Sequence, residues 1–138
     1  MAKPKFKAGI GESSPKIFED TVVNNLESMV RFSFTTCDTK KYCIRLLEDQ
    51  EITNFYTTLA KFEKMTWKEV HKLPREIGFS IEKKEQENHK MLSGKYKLFS
   101  TFLHFRVSGP SKLFRVFAAR QDDLVYLLIL DRKGEINH

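Results

Sequence analysis

With 138 residues, 41% of them apolar, the chain is long enough for one domain around one core. Its 24 Lys and Arg against 18 Asp and Glu give a net charge of +6, which favours an acidic partner, nucleic acid first, although such an excess also serves solubility. No apolar run is long enough to span a bilayer and no signal-type segment is present, so a cytoplasmic protein with no membrane partner is expected. The two cysteines, Cys37 and Cys43, make no CxxC pair and no disulfide framework, and Cys43 reads as a buried thiol.

Residues 1–16 carry Lys, Gly, Ser and Pro and little to bury, so a mobile basic leader is expected before a single domain over 17–138. Residues 17–29 approach the fold through the anchors Ile17, Phe18, Val22, Val23 and Leu26. Val30–Thr36 alternates Val30, Phe32 and Phe34 with Arg31, Ser33 and Thr35, the period of a strand with one wet face. Asp38 suits an N-cap for a helix bearing Tyr42, Cys43, Leu46 and Leu47. After a break near Asp49, Ile52, Phe55, Tyr56, Leu59 and Phe62 form the stripe of a second helix, or the continuation of one bent helix. Thr66-Trp67-Lys68-Glu69 is a capping box opening a short helix that must stop by Pro74. Residues 75–97 are polar nearly all round: a weak helix or a surface segment.

The densest apolar signal runs from Phe102 to Asp131. Phe102–Ser108 alternates, Ser108-Gly109-Pro110-Ser111 is a turn cluster, and Leu113–Arg120 is a second run. Gln121-Asp122-Asp123 reads as a three-residue turn, and Leu124–Leu130 is apolar on both faces, as a central strand should be. Short connections make these runs an antiparallel three-stranded meander. The fold class expected is α+β: a mainly antiparallel sheet with this C-terminal meander and helices packed on one face. Leu103, Phe105, Val107, Phe114, Val116, Leu128 and Leu130 should line one core with Tyr56, Leu59 and Trp67.

The chain has no GxSxG, HExxH, P-loop or GxGxxG pattern, and its histidines are scattered, so no cofactor and no metal site is expected. What remains is a set of cations on or beside the meander: His104, Arg106, Lys112, Arg115, Arg120, Arg132, Lys133 and His138. Arg115 interrupts an apolar strand, where a guanidinium is costly unless it pairs or meets water. In the three-residue-turn register it lies diagonal to Asp131, so a structural ion pair is one reading. The other is an arginine kept for a phosphate, with a histidine near it to move a proton.

The order of strand, paired helices and antiparallel meander resembles the RelE/ParE superfamily of small bacterial toxins. The local likeness lies in HFRVSGPSKLFRVFAARQDDLVYLLILDRKGEINH, similar to that superfamily's C-terminal strands, acidic turn and short basic tail. The chain also resembles small phage and mobile-element proteins that end in an apolar strand, Asp and a polar stretch with His. The first resemblance implies a ribosome-associated messenger-RNA endoribonuclease with RNA or the ribosome as partner and an antitoxin protein as a possible second. It would give Arg106, Arg115 and His138 catalytic roles, with His104, Lys112, Arg120, Arg132 and Lys133 holding nucleic acid. The alternatives are a non-enzymatic phage-type inhibitor and a plain nucleic-acid-binding module.

Overall fold

The computed structural model describes residues 27–136. The expected leader, the anchors Ile17 to Leu26 and His138 lie outside the described residues. Within them the order is β1 (Arg31–Ser33), a 3-10 turn (Ile44–Leu46), α1 (Asp49–Glu63), α2 (Trp67–His71), β2 (Ser80–Ile81), α3 (Glu87–Lys95), β3 (Phe102–Arg106), β4 (Arg115–Gln121) and β5 (Leu124–Asp131). The strands form one sheet in the order β1-β5-β4-β3-β2. β1 runs parallel to β5, and the other neighbours are antiparallel. The chain is therefore α+β with the expected meander, and residues 30–36 supply an added edge strand, as their alternation suggests.

The short helix after Met65 forms as its capping box requires. Thr66 Oγ1 accepts from the Glu69 N–H at 3.2 Å, and the Glu69 carboxylate accepts from the Thr66 N–H at 2.9 Å. It ends before Pro74 and buries Trp67 and Val70. α1 opens with a similar reciprocal box between Glu48 and Glu51, and its buried face is Phe55, Thr58 and Phe62. Tyr56 does not join that face and is 71% exposed. It sits one residue, about 100°, round the helix from Phe55, outside a stripe narrower than the sequence suggests. Leu59 is half-buried at the margin of the core.

The helix expected to follow Asp38 does not form. Asp38 does cap, accepting from the N–H groups of Lys40, Lys41 and Tyr42, but the chain beyond it makes only a bend and one 3-10 turn. The competing demand comes from β5, which extends past the end of β1. The Asp38 N–H donates to the Leu128 carbonyl at 2.8 Å, and the Leu130 N–H donates to the Tyr42 carbonyl at 3.0 Å. Pairing these groups ties residues 38 and 42 to β5 and takes the segment out of a helix.

The sheet is buried on both sides. On one, α1 and α2 cover Leu103, Phe105, Val107, Phe114, Val116, Ala118, Val125, Leu127 and Leu130. On the other, Leu92 of α3, with Tyr42, Tyr96 and Phe99, covers Phe102, Phe117, Ala119, Leu128 and Ile129. Thus α1 and α2 share a face as expected, while the short polar α3 lies across the sheet from them.

The β4–β5 hairpin differs from its expected register. Gln121 pairs with Leu124, so the loop is the two residues Asp122 and Asp123, with Asp122 at φ 58°. Aspartate tolerates that left-handed conformation better than most residues. A bulge between Phe117 and Ala118 then shifts the ladder, so that Val116 faces Leu130 and Arg115 faces Asp131. Phe114, Val116 and Leu130 keep the expected face. Leu128 does not, because the bulge turns it with Ile129 to the opposite side.

Candidate functional site

The polar residues of β3 and β4 meet on the sheet face that α3 partly covers. His104 and Arg106 are two apart on β3 and so point to the same side. Across the ladder His104 faces Phe117, with ring centroids 5.7 Å apart, and Arg106 faces Arg115. Arg115 in turn faces Asp131 on β5. A row of charge thus crosses three strands.

Glu82 completes the cluster. Its N–H donates to the Phe102 carbonyl at 2.8 Å, carrying the β2–β3 pairing one residue beyond β2. This places the carboxylate beside the His104 ring, and Nδ1 of His104 forms a hydrogen bond with it. Glu82 is 6% exposed, whereas Arg106 is exposed. Sequence reasoning missed Glu82 because it lies in the run IEKKEQEN, among many charges. The signal that marks it is the alternation of Phe79 and Ile81 with Ser80 and Glu82.

Arg115 is only 6% exposed. Its Nη2 donates to the Ile136 carbonyl at 3.5 Å, and its guanidinium carbon lies 5.4 Å from the Phe117 ring centroid. Burial lowers its pKa; the Asp131 and Glu82 carboxylates oppose that fall, and the neighbouring Arg106 adds to it. The Arg115–Asp131 ion pair expected as one reading is not made, although the two residues are ladder partners. Asp131 instead accepts from the N–H groups of Glu135 and Ile136 at 2.9 and 2.8 Å.

The remaining expected site residues are dispersed. Lys112 is exposed on the β3–β4 loop, beside Arg106. Arg120 lies on the opposite face of the sheet, 3.7 Å over the Trp67 ring, with Nε donating to the Asp122 carbonyl. Arg132 reaches α1, where its Nε and Nη2 meet Glu51 at 2.7 Å and Glu48 at 3.3 Å. Lys133 is exposed and borders a cavity of about 200 Å³ shared with Lys41, Tyr42 and Glu135. The structure therefore brings together His104, Arg106, Arg115 and, at the margin, Lys112.

This arrangement can bind an anion and move a proton. The exposed Arg106 guanidinium offers paired donors to a phosphate, and the buried charge of Arg115 lies behind it. A carboxylate on Nδ1 fixes the orientation of the imidazole and leaves Nε2 as the ring's other polar atom. Among the described residues no group of three or more His, Cys, Asp or Glu side chains is placed to hold a metal ion, and no helix is long and apolar enough to cross a membrane.

The chain matches no family model, no curated protein and no solved structure.

Proposed function

We propose that this chain is a RelE-like endoribonuclease toxin acting in the cytoplasm on messenger RNA at the ribosome. One observation carries the reading: a histidine backed by a buried carboxylate shares a sheet face with Arg106 and Arg115.

In this mechanism the 2′-hydroxyl attacks the adjacent phosphorus. The O2′–P bond forms, the P–O5′ bond breaks, and a 2′,3′-cyclic phosphate remains. Nε2 of His104 takes the 2′-hydroxyl proton, and Glu82 steadies the imidazolium. Arg106 holds the phosphate oxygens and the charge that grows on them, with Arg115 behind it. His138, by the resemblance, gives a proton to the departing O5′. An antitoxin protein would be the natural restraint on such an activity.

The experiment is cleavage of messenger RNA on programmed ribosomes, run beside an expression-toxicity assay. The parent should cut and arrest growth, and Arg106→Ala should lose both while staying folded. A parent that neither cuts nor arrests growth would remove the toxin reading. A second reading, non-catalytic nucleic-acid binding, is favoured by the burial of Arg115, whose guanidinium is turned towards the Ile136 carbonyl. It predicts salt-dependent RNA binding without cleavage.

A further inference from the structure

Beyond β3 the chain leaves the sheet at Val107 and returns at Phe114, where the Val107 N–H donates to the Phe114 carbonyl at 3.0 Å. The loop between them and the turn at residues 74–78 enclose a cleft of about 350 Å³, within the ~300–1,000 Å³ typical of small-molecule sites. Glu76, Ile77, Arg106, Ser108, Ser111 and Lys112 are among its walls.

The loop is tied to α1. The Ser108 N–H donates to Oγ1 of the buried Thr58 on α1 at 2.9 Å. Gly109 stands at φ 139°, and a Cβ there would come within 2.5 Å of the Asn54 amide nitrogen. The positive φ disfavours any side chain there, and one would also have to push the Asn54 amide aside. Two cations and two hydroxyls therefore line a cleft held open from behind, and Ile77 adds an exposed apolar side chain. Cations and hydroxyls suit phosphate oxygens, an apolar wall suits the face of a base, and the Glu76 carboxylate can accept from an exocyclic amine.

We propose that this cleft holds one nucleotide of single-stranded RNA, its phosphate against Lys112 and its base against Ile77. The inference rests on the RNA-cleaving reading and extends it. Arg106 borders both the cleft and the His104 face, so the nucleotide in the cleft is the neighbour of the phosphate being cut.

The test is a titration of the 15N-labelled protein with a 2′-O-methyl RNA tetramer, which has no free 2′-hydroxyl to attack, and separately with inorganic phosphate. The tetramer should shift the amides of Ile77, Gly109, Ser111 and Lys112 saturably. Lys112→Ala should weaken it about tenfold and lower the slope of log affinity against log salt by about 0.7, and Lys112→Arg should restore both. Shifts confined to other surfaces, or an unchanged affinity in Lys112→Ala, would overturn the proposal. So would inorganic phosphate binding as tightly as the tetramer, which would make the cleft an anion site without a base contact. Cleavage of messenger RNA on programmed ribosomes, run beside the titration, separates the two ideas. Cutting without shifts in the cleft removes the subsite alone, and binding in the cleft without cutting removes the nuclease alone.

Discussion

Arg115 and Asp131 face each other across β4 and β5, yet each is committed to the chain after β5 rather than to the other. The Asp131 carboxylate, 1% exposed, accepts two backbone N–H groups from residues 135 and 136, and Arg115 donates to the carbonyl of residue 136. The pair together pins the segment after the last strand against the sheet. Its energetics should be asymmetric. Asp131→Ala leaves two amides without their acceptor and should cost about 1–3 kcal/mol. Arg115→Met keeps the apolar stem, removes one long hydrogen bond and should cost no more than about 1 kcal/mol. Urea denaturation of both variants checks this. A larger loss in Arg115→Met, of the ~3–5 kcal/mol seen on breaking a buried ion pair, would mean that the two charges depend on each other after all.

The core predicts a contrast along α1. Phe62 is 1% exposed and packs on Phe79 and Phe105, with ring centroids 4.6 and 5.3 Å away. Phe62→Ala should destabilise by about 3–5 kcal/mol. Tyr56→Ala, on the wet side, should stay within about 0.5 kcal/mol. Equal losses at the two positions would show that the helix is rotated from the orientation described.

Acid should weaken the joint between α1 and the end of β5. Burial opposes ionisation of Glu51, but the hydrogen bond from Arg132, the Glu48 N–H and the charges of Arg132 and Lys133 outweigh it and hold its pKa below the ordinary 4.5. A depressed carboxylate stabilises the fold above its unfolded value and loses that contribution as pH falls through the folded one. Melting temperature should therefore decline as the pH drops below about 4.5. Glu51→Gln, which keeps an acceptor for the Glu48 N–H, should give a shallower decline. An identical acid limb in the variant would mean that Glu51 is not the group responsible.

Cys37 should be chemically quiet. Burial raises its pKa to about 11, and the Asp38 carboxylate and Cys43 push the same way against one backbone hydrogen bond. Thiolate is the reactive form, so iodoacetamide at pH 8 should label the folded protein far more slowly than the denatured chain. Labelling of Cys37 at the denatured rate would contradict the buried environment.

Strict alternation makes β3 legible, and with it the shared side of His104 and Arg106. The register of β5 is not, because LVYLLILD is apolar on both faces and its parity carries no signal. A bulge in such a strand leaves the sequence looking unchanged, which is why sequence alone puts Leu128 on the wrong side. The helix expected after Asp38 fails for a related reason: local spacing favours it, but the free backbone groups of β5 at Leu128 and Leu130 claim that segment. β2 spans only two residues, and the short alternation from Phe79 to Glu82 runs straight into the charged stretch after it, which hides the partner of His104. Charge alone does not separate Arg106, which faces solvent, from Arg132, which is held by Glu48 and Glu51.

The most direct measurement is cleavage of a defined messenger RNA on programmed ribosomes by the purified protein, compared with the same strand carrying one 2′-deoxy nucleotide at the cut position. A 2′,3′-cyclic phosphate is expected from the all-ribose strand, with no cut at the deoxy position and a loss of about 10²–10⁴-fold in rate for His104→Gln. Cleavage that ignores the missing 2′-hydroxyl, or His104→Gln protein that cuts as fast as the parent, would contradict the proposed chemistry.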